Sequence, residues 1–143
     1  MDSPEWWPAC QELSTAFANG VDRHRNDEVL ALFTEDAVLD RWGHSVAGHA
    51  ALRQWLNGRP ADVVTRHVCT NFEARRTAAD RAEGLTLFTF YRAARHDATG
   101  PLPMTGPAMV GEYLDQFRRT SDGWRIARRE IRILFQDAGL ESS

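Results

Sequence analysis

A small set of polar side chains lies among aromatic residues in the second half of the chain and could carry out acid–base chemistry. Side chains alternate between the two faces of a strand, and in three predicted strands this alternation places on one inward face His67, Asn71, Phe88, Phe90, Arg92 and Tyr113. An apolar wall with a few convergent polar groups is the usual composition of a small-molecule site. A neutral imidazole accepts a proton near neutral pH, so the pattern predicts general-base chemistry at His67.

The elements that must position these residues change period halfway along the chain. Apolar residues at three- and four-residue spacing predict helices over 5–25, 29–33 and 49–57. Short strands are predicted at 37–41 and 45–47, and long strands at 62–76, 82–94, 107–120 and 124–135. Helices first and strands second predict an α+β domain whose N-terminal helices pack on a curved, mostly antiparallel sheet that encloses a pocket.

Composition narrows the chemistry further. The 143 residues fit one domain, 1–143, with an ordered core of about 5–137 and loose ends at 1–4 and 138–143. The chain contains no lysine, which excludes Schiff-base and lysine-anchored pyridoxal phosphate chemistry. A net charge of −3 gives no reason to expect nucleic acid, and no apolar stretch is long enough for a membrane span. A cytoplasmic protein is therefore expected.

Several short motifs, in a fixed order, carry a resemblance to a known family. They are Asp22 to Phe33 followed by Thr34 to Leu39, Val46-Ala-Gly48 before a helix, Thr65-Arg-His67 in a long strand, and Gly111-Glu-Tyr113 leading to Asp122-Gly-Trp124. Together they cover roughly Glu12 to Phe135, and their order and spacing resemble the SnoaL-like group of the nuclear transport factor 2-like superfamily.

The resemblance implies both a fold and a reaction class. Members of this family form a cone-shaped α+β barrel around a deep pocket. Relatives of scytalone dehydratase, bile-acid dehydratase and a hexachlorocyclohexane dehydrochlorinase use a His–Asp pair there, at positions that match His67 and Asp22. The resemblance therefore implies a lyase or isomerase of dehydratase, dehydrohalogenase or polyketide-cyclase type, acting on a small hydrophobic substrate without cofactor or metal. It also implies a homodimer or other small homo-oligomer that forms through the sheet face.

Two positions depart from the family pattern. Several dehydrating relatives place a tyrosine or lysine where this chain has Phe17, and the scytalone-type enzymes place a second histidine near Arg92. The general acid is therefore left open between Tyr91 and Tyr113, with Arg92 as a candidate to stabilise an enolate. The expected substrate-binding residues are Phe17, Trp42, Asn71, Phe88, Phe90, Arg92 and Tyr113.

Other functions of the same fold stay open at this point. One is a non-catalytic binding or assembly subunit, similar to the small subunit of ring-hydroxylating dioxygenases, because fold does not fix function. Another is epoxide hydrolysis, which some superfamily members perform with an Asp–Arg–Asp set that Asp40, Arg92 and Asp115 would have to supply. The arginines within 125–129 alternate with apolar residues, which predicts a solvated sheet face or a subunit contact for most of them.

Overall fold

A computed structural model of the protein describes residues 5–97 and 99–139. Most of the expected loose ends, 1–4 and 140–143, lie outside these ranges. The elements follow in the order α1 (Trp6–Asp22), α2 (Asn26–Leu30), β1 (Phe33–Arg41), β2 (His44–Ala47), α3 (His49–Asn57), β3 (Val63–Ala78), β4 (Arg81–Ala94), β5 (Met109–Thr120) and β6 (Gly123–Gln136). Helices precede the long strands, as the change of period predicts.

The strands form one six-stranded mixed sheet in the order β2-β1-β6-β5-β4-β3. The β1–β6 pair is parallel, and the other neighbours are antiparallel. The α+β class is confirmed, but the described strands do not close into a barrel, because β2 and β3 remain edges of the sheet. The helices lie against one face of this sheet, and the core fills the space between them.

Helix α1 brings the acid of the candidate pair to the sheet. Its predicted apolar stripe, Cys10, Leu13, Phe17 and Val21, is buried, and each such side chain stabilises the packing by about 1.5–3 kcal/mol. The helix ends at Asp22 and not at the predicted Arg25, because the chain turns back through His24, whose φ is +56°. Asp22 is consequently held at the buried end of α1, against β3.

The start of β1 differs from the prediction. Phe33 was expected to end a short helix, yet it begins β1 and pairs with Ile126 of β6. A register shift between Phe33 and Val38 accommodates the irregular segment, in which Phe33 and Thr34 are both buried. The pairing with β6 outweighs the local helical pattern here.

Candidate functional site

Asp22 and His67 form a direct pair, although they lie far apart in the sequence. The His67 ring nitrogen Nδ1 lies 2.7 Å from Asp22 Oδ1, and the His67 backbone N–H donates to Asp22 Oδ2 at 2.7 Å. The Thr65 hydroxyl donates to Asp22 Oδ1 at 2.9 Å. Three hydrogen bonds from one strand therefore fix the carboxylate at the end of α1, and they fix the imidazole relative to it.

This geometry sets the tautomer of the imidazole. An ionised carboxylate only accepts hydrogen bonds. The hydrogen of the neutral imidazole therefore lies on Nδ1, which donates a hydrogen bond to Asp22 Oδ1. The other nitrogen, Nε2, then has a free lone pair that can take a proton from a substrate. The ring lies beside Phe88 and Phe90 of β4, with centroid distances of 5.7 and 4.7 Å. The His67 ring is thereby held in a fixed orientation within an apolar wall.

The electrostatics keep Asp22 ionised. Burial by itself raises the pKa of the carboxyl, since it penalises the charged form. The hydrogen bonds and charge of His67, with a smaller contribution from Thr65, outweigh burial and lower the pKa below its ordinary value. The side chain is 1% exposed. Asp22 is therefore a buried, fully hydrogen-bonded carboxylate that can stabilise an imidazolium.

His67 lines one of two adjacent chambers. We call the chamber walled mainly by core residues the inner chamber and its neighbour the outer chamber. The inner chamber has a volume of about 110 Å³. The predicted residues in its lining are Phe17, Trp42, His67, Phe88, Phe90 and Tyr113, and those not predicted are Val21, Arg41, Trp55, Arg59, Met109, Ile131 and Ile133. The outer chamber, of about 440 Å³, shares six of these residues with the inner one and adds Arg92. A groove of about 530 Å³ elsewhere on the sheet contains neither His67 nor Asp22.

Tyr113 supplies a hydroxyl to the inner chamber. The residue is 1% exposed and stacks on Phe88 at a centroid distance of 4.5 Å. Its hydroxyl forms no hydrogen bond within the described residues. Unlike the Thr34 hydroxyl, which is fully buried without a partner, it retains some accessible surface, and Tyr113 lines the inner chamber. Burial raises the pKa of Tyr113, so the hydroxyl keeps its proton. It can therefore donate a hydrogen bond to a bound molecule.

A buried ion pair supports the wall behind Tyr113. Arg129 bonds Asp115 through two parallel hydrogen bonds of 2.7 Å, and both side chains are 0% exposed. The guanidinium carbon lies 4.0 Å from the Tyr113 ring centroid and 4.6 Å from that of Phe17. Most arginines of 125–129 were predicted to lie on a solvated sheet face or in a subunit contact, and Arg129 does neither, because it is buried against Asp115. Burial lowers the pKa of Arg129, but the charge of Asp115 outweighs burial and raises it.

Two expected binding residues lie away from the inner chamber. Asn71 is exposed, because a bulge between Thr70 and Glu73 reverses the alternation of β3 and gives Asn71 a φ of +56°. The prediction that Asn71 shares an inward face with His67 is therefore wrong. Arg92 is exposed and lines only the outer chamber.

The Asp–Arg–Asp set needed for epoxide hydrolysis is not assembled. Asp40 bonds Arg128 at 3.2 Å, and Asp115 is occupied by Arg129. Among the described residues, neither carboxylate forms an ion pair with Arg92. The three side chains that this alternative requires are thus committed to other partners or to solvent.

Sequence reasoning missed two arginines of the cavity. Arg41 lies on the same side of β1 as the buried Ala37 and Leu39, so strand alternation alone was a usable signal for it. Arg59 follows α3, and its direction depends on how the chain leaves that helix. No local pattern indicates it.

Within residues 5–97 and 99–139, His, Cys, Asp and Glu side chains form no group of three or more that could hold a metal ion. No helix in the same ranges is both long enough and apolar enough to cross a bilayer.

Comparison with known proteins agrees with this fold. The family model described as "SnoaL-like domain" matches residues 8–130. A Novosphingobium aromaticivorans protein provisionally designated an aromatic ring hydroxylase is 29% identical, with a TM-score of 0.78, over 94% of this chain and 93% of that one. A second protein from that organism, provisionally designated a scytalone dehydratase, is 19% identical, with a TM-score of 0.76, over 95% and 89%. A hexachlorocyclohexane dehydrochlorinase is 17% identical, with a TM-score of 0.75, over 95% and 91%. The last two, at this level of identity, establish the shared fold alone.

Proposed function

We propose, given that the chain belongs to the SnoaL-like domain family, that it is a lyase or isomerase that needs no cofactor and acts on a small, largely apolar organic molecule. The observation that carries the proposal is the 2.7 Å contact between His67 Nδ1 and Asp22 Oδ1 beside the inner chamber. A carboxylate behind an imidazole that faces a cavity is the arrangement that a general base requires.

The first step follows from the tautomer. His67 Nε2 takes a proton from a carbon atom of the bound substrate. The electron pair left behind either moves onto a neighbouring carbonyl oxygen as an enolate, or forms a carbon–carbon double bond while a hydroxyl or halide leaves the adjacent carbon. The imidazolium formed is stabilised by Asp22. General-base catalysis of this kind accelerates a reaction by about 10²–10⁴-fold.

The second step needs a proton for the departing or rearranging group. Tyr113 is the best placed donor, since its hydroxyl is protonated and open to the chamber that His67 lines. The imidazolium itself can also return the proton, which would give an isomerisation. Phe17, where dehydrating relatives carry a tyrosine or lysine, offers no proton. We therefore assign the general acid to Tyr113 of β5 and not to position 17 of α1.

The experiment uses a readout that does not depend on the final product. Small cyclic ketones and β-hydroxy ketones, each with and without a carboxylate group, are incubated with the protein in D₂O, and deuterium incorporation and product formation are followed by mass spectrometry. We expect exchange or turnover that falls by about 10²-fold or more in His67→Ala. His44→Ala, at an exposed histidine of β2, is the matched control and should retain the wild-type rate. Wild-type rates in His67→Ala would sink the proposal.

A second candidate is a non-catalytic assembly subunit, and the designation of the 29% identical relative as an aromatic ring hydroxylase favours it. For a protein of that kind the dyad would be a structural tie between α1 and β3. The same experiment separates the two candidates. An assembly subunit would show no exchange or turnover with any member of the panel, and His67→Ala would only lower its stability.

A further inference from the structure

The mouth of the cavity is lined by cations and indole rings. We use "mouth" for Arg41, Trp42, Trp55 and Arg59, which line both the inner and the outer chamber. These four side chains lie where the two chambers meet, beside Phe90 and Met109, which also line both. A molecule bound in the inner chamber therefore lies next to two cations and two indole rings.

Arg41 is held in place without a counter-charge. It lies half-buried on the core-facing side of β1, where an apolar residue is the usual occupant. Its guanidinium carbon lies 5.0 Å from the ring centroid of Trp55 and 5.6 Å from that of Trp42. No carboxylate of the described residues forms a salt bridge with it. Burial lowers the pKa of Arg41, as expected for a cation that has lost water and gained no acid.

Arg59 is the second cation of the mouth. Its Nη1 donates to the Val21 carbonyl at 2.7 Å, which anchors the side chain at the end of α1. Burial lowers the pKa of Arg59, and the charge of Arg41 acts in the same direction, while that of Asp22 opposes it. Asp22 is already occupied by three hydrogen bonds from β3. Within the described residues, Arg59 therefore also has no salt bridge.

Trp42 is in a conformation that a structural role alone does not require. It has a φ of +50° in the two-residue turn between β1 and β2, a position where asparagine is favoured and a bulky residue is strained. The residue remains 45% exposed at the surface of the protein. Backbone strain of this kind is concentrated at ligand sites. The strained turn places an indole ring beside Arg41 at the mouth.

We propose that the substrate is a small single-ring carboxylate, whose carboxylate group binds Arg41 and Arg59 while its ring enters the inner chamber toward His67. The proposal rests on the proposed function in that it names the substrate class of the same site. A planar guanidinium matches a carboxylate through paired hydrogen bonds. The size limit comes from the inner chamber, since about 110 Å³ is on the scale of the cavities that hold benzene. The apolar walls suit a ring, and the indoles shield the ion pair from water.

Equilibrium binding tests the proposal without any turnover. Benzoate and its neutral isostere benzamide are titrated into the protein at pH 7.5 by isothermal calorimetry, at low and at high salt. We expect benzoate to bind about tenfold or more tightly than benzamide, and only its affinity to fall with salt. Arg41→Gln and Arg59→Gln should each lower benzoate affinity about tenfold and leave benzamide affinity unchanged. Arg41→Lys, which keeps the charge without the planar fork, should lie between wild type and Arg41→Gln.

The control variant is Arg53→Gln. Arg53 is an exposed arginine of α3 that bonds Asp27 at 2.7 Å, and it lines neither chamber. Its substitution should leave both affinities at the wild-type value, with thermal melts of all variants as the check on folding. Equal affinity for benzoate and benzamide, no detectable benzoate binding, or a glutamine series without effect would each overturn the proposal. The proposed function is tested separately, by turnover in His67→Ala. The carboxylate proposal can therefore fail in the binding experiment while the proposed function stands, and the reverse is also possible.

Discussion

The Asp22→Asn substitution tests the geometry of the dyad most directly, because it removes a charge and keeps the shape. Asp22 accepts from the Thr65 hydroxyl, the His67 backbone N–H and His67 Nδ1. Asparagine offers one carbonyl oxygen and one NH₂ group in the same space. If the NH₂ group faces the backbone N–H, two donors meet and one buried donor loses its partner. If it faces Nδ1, the ring must accept there, and its proton moves to Nε2.

Both orientations damage catalysis, for different reasons. When the NH₂ group faces the backbone N–H, the tautomer is retained, but no negative charge stabilises the imidazolium. When the NH₂ group faces Nδ1, Nε2 is protonated and His67 has no lone pair with which to act as a base. We expect turnover to fall by about 10²–10⁴-fold. The unpaired donor should lower the free energy of unfolding by about 1–3 kcal/mol.

Three measurements on the Asp22→Asn variant separate these effects. Turnover gives the rate loss, urea denaturation gives the stability loss, and ¹⁵N chemical shifts of the His67 ring report which nitrogen carries the proton. Asp40→Asn is the matched control, since Asp40 is a partly buried aspartate paired with Arg128 at the sheet surface. It should change the unfolding free energy by about 1 kcal/mol or less, with no change in rate. Wild-type turnover in Asp22→Asn, or a His67 ring whose Nδ1 already lacks a proton in the wild type, would refute the reasoning.

Three further predictions concern stability. Because the folded-state pKa of Asp22 lies below its ordinary value of 3.8, its contribution is present above that pH and is lost as pH falls through the lower value. The difference in unfolding free energy between wild type and Asp22→Asn, measured by urea titration from pH 6 to pH 3, should therefore shrink only below about pH 4. A difference that grows below pH 4 would contradict this prediction. Arg129→Met leaves a buried carboxylate unpaired and should lower the free energy of unfolding by about 3–5 kcal/mol, measured in urea. Arg128→Met, at a half-exposed neighbour, should lower it by about 1 kcal/mol or less. Equal losses in the two variants would refute the prediction that the buried pair is the more important one. Gly111→Ala would place a Cβ against the backbone carbonyl oxygen of Arg132 and 2.7 Å from the Phe88 ring, and it should cost about 3 kcal/mol because the backbone has to shift. Gly139→Ala, with open space around it, should leave the thermal midpoint unchanged.

The fold was predictable because the sequence changes period only once. The stripe on α1 and the long β-rich segments required nothing beyond local spacing, and the strand boundaries fall within a few residues of those expected. Strand alternation also placed Tyr113, Phe88 and Phe90 correctly on the wall of the inner chamber. The pairing of His67 with Asp22 had a different source. Only the family resemblance indicated it, because no local pattern joins a helix end to a distant strand.

Two of the errors, those at Asn71 and Arg129, have the same physical cause, a β-bulge. An extra residue between Thr70 and Glu73 reverses the faces of β3 beyond Thr70, so Asn71 does not follow His67. In the β5–β6 pair, Phe117 opposes Ile126 while Gln116 opposes Arg128. One residue of β6 is thus left over, and Arg129 turns inward to Asp115. Period-two reasoning carries no information about such insertions, because they depend on the partner strand.

The mouth and the dyad divide the work of the proposed reaction in a way that physical chemistry requires. A carboxylate bound by Arg41 and Arg59 carries its charge before, during and after proton transfer, so these contacts stabilise the ground state and the transition state alike. They increase affinity and set orientation, but they cannot by themselves accelerate the chemical step. Asp22 differs, because its interaction with His67 strengthens only when the imidazole becomes charged. In the proposed reaction, rate acceleration must therefore come from the dyad and from the hydroxyl of Tyr113, while the mouth contributes affinity and orientation.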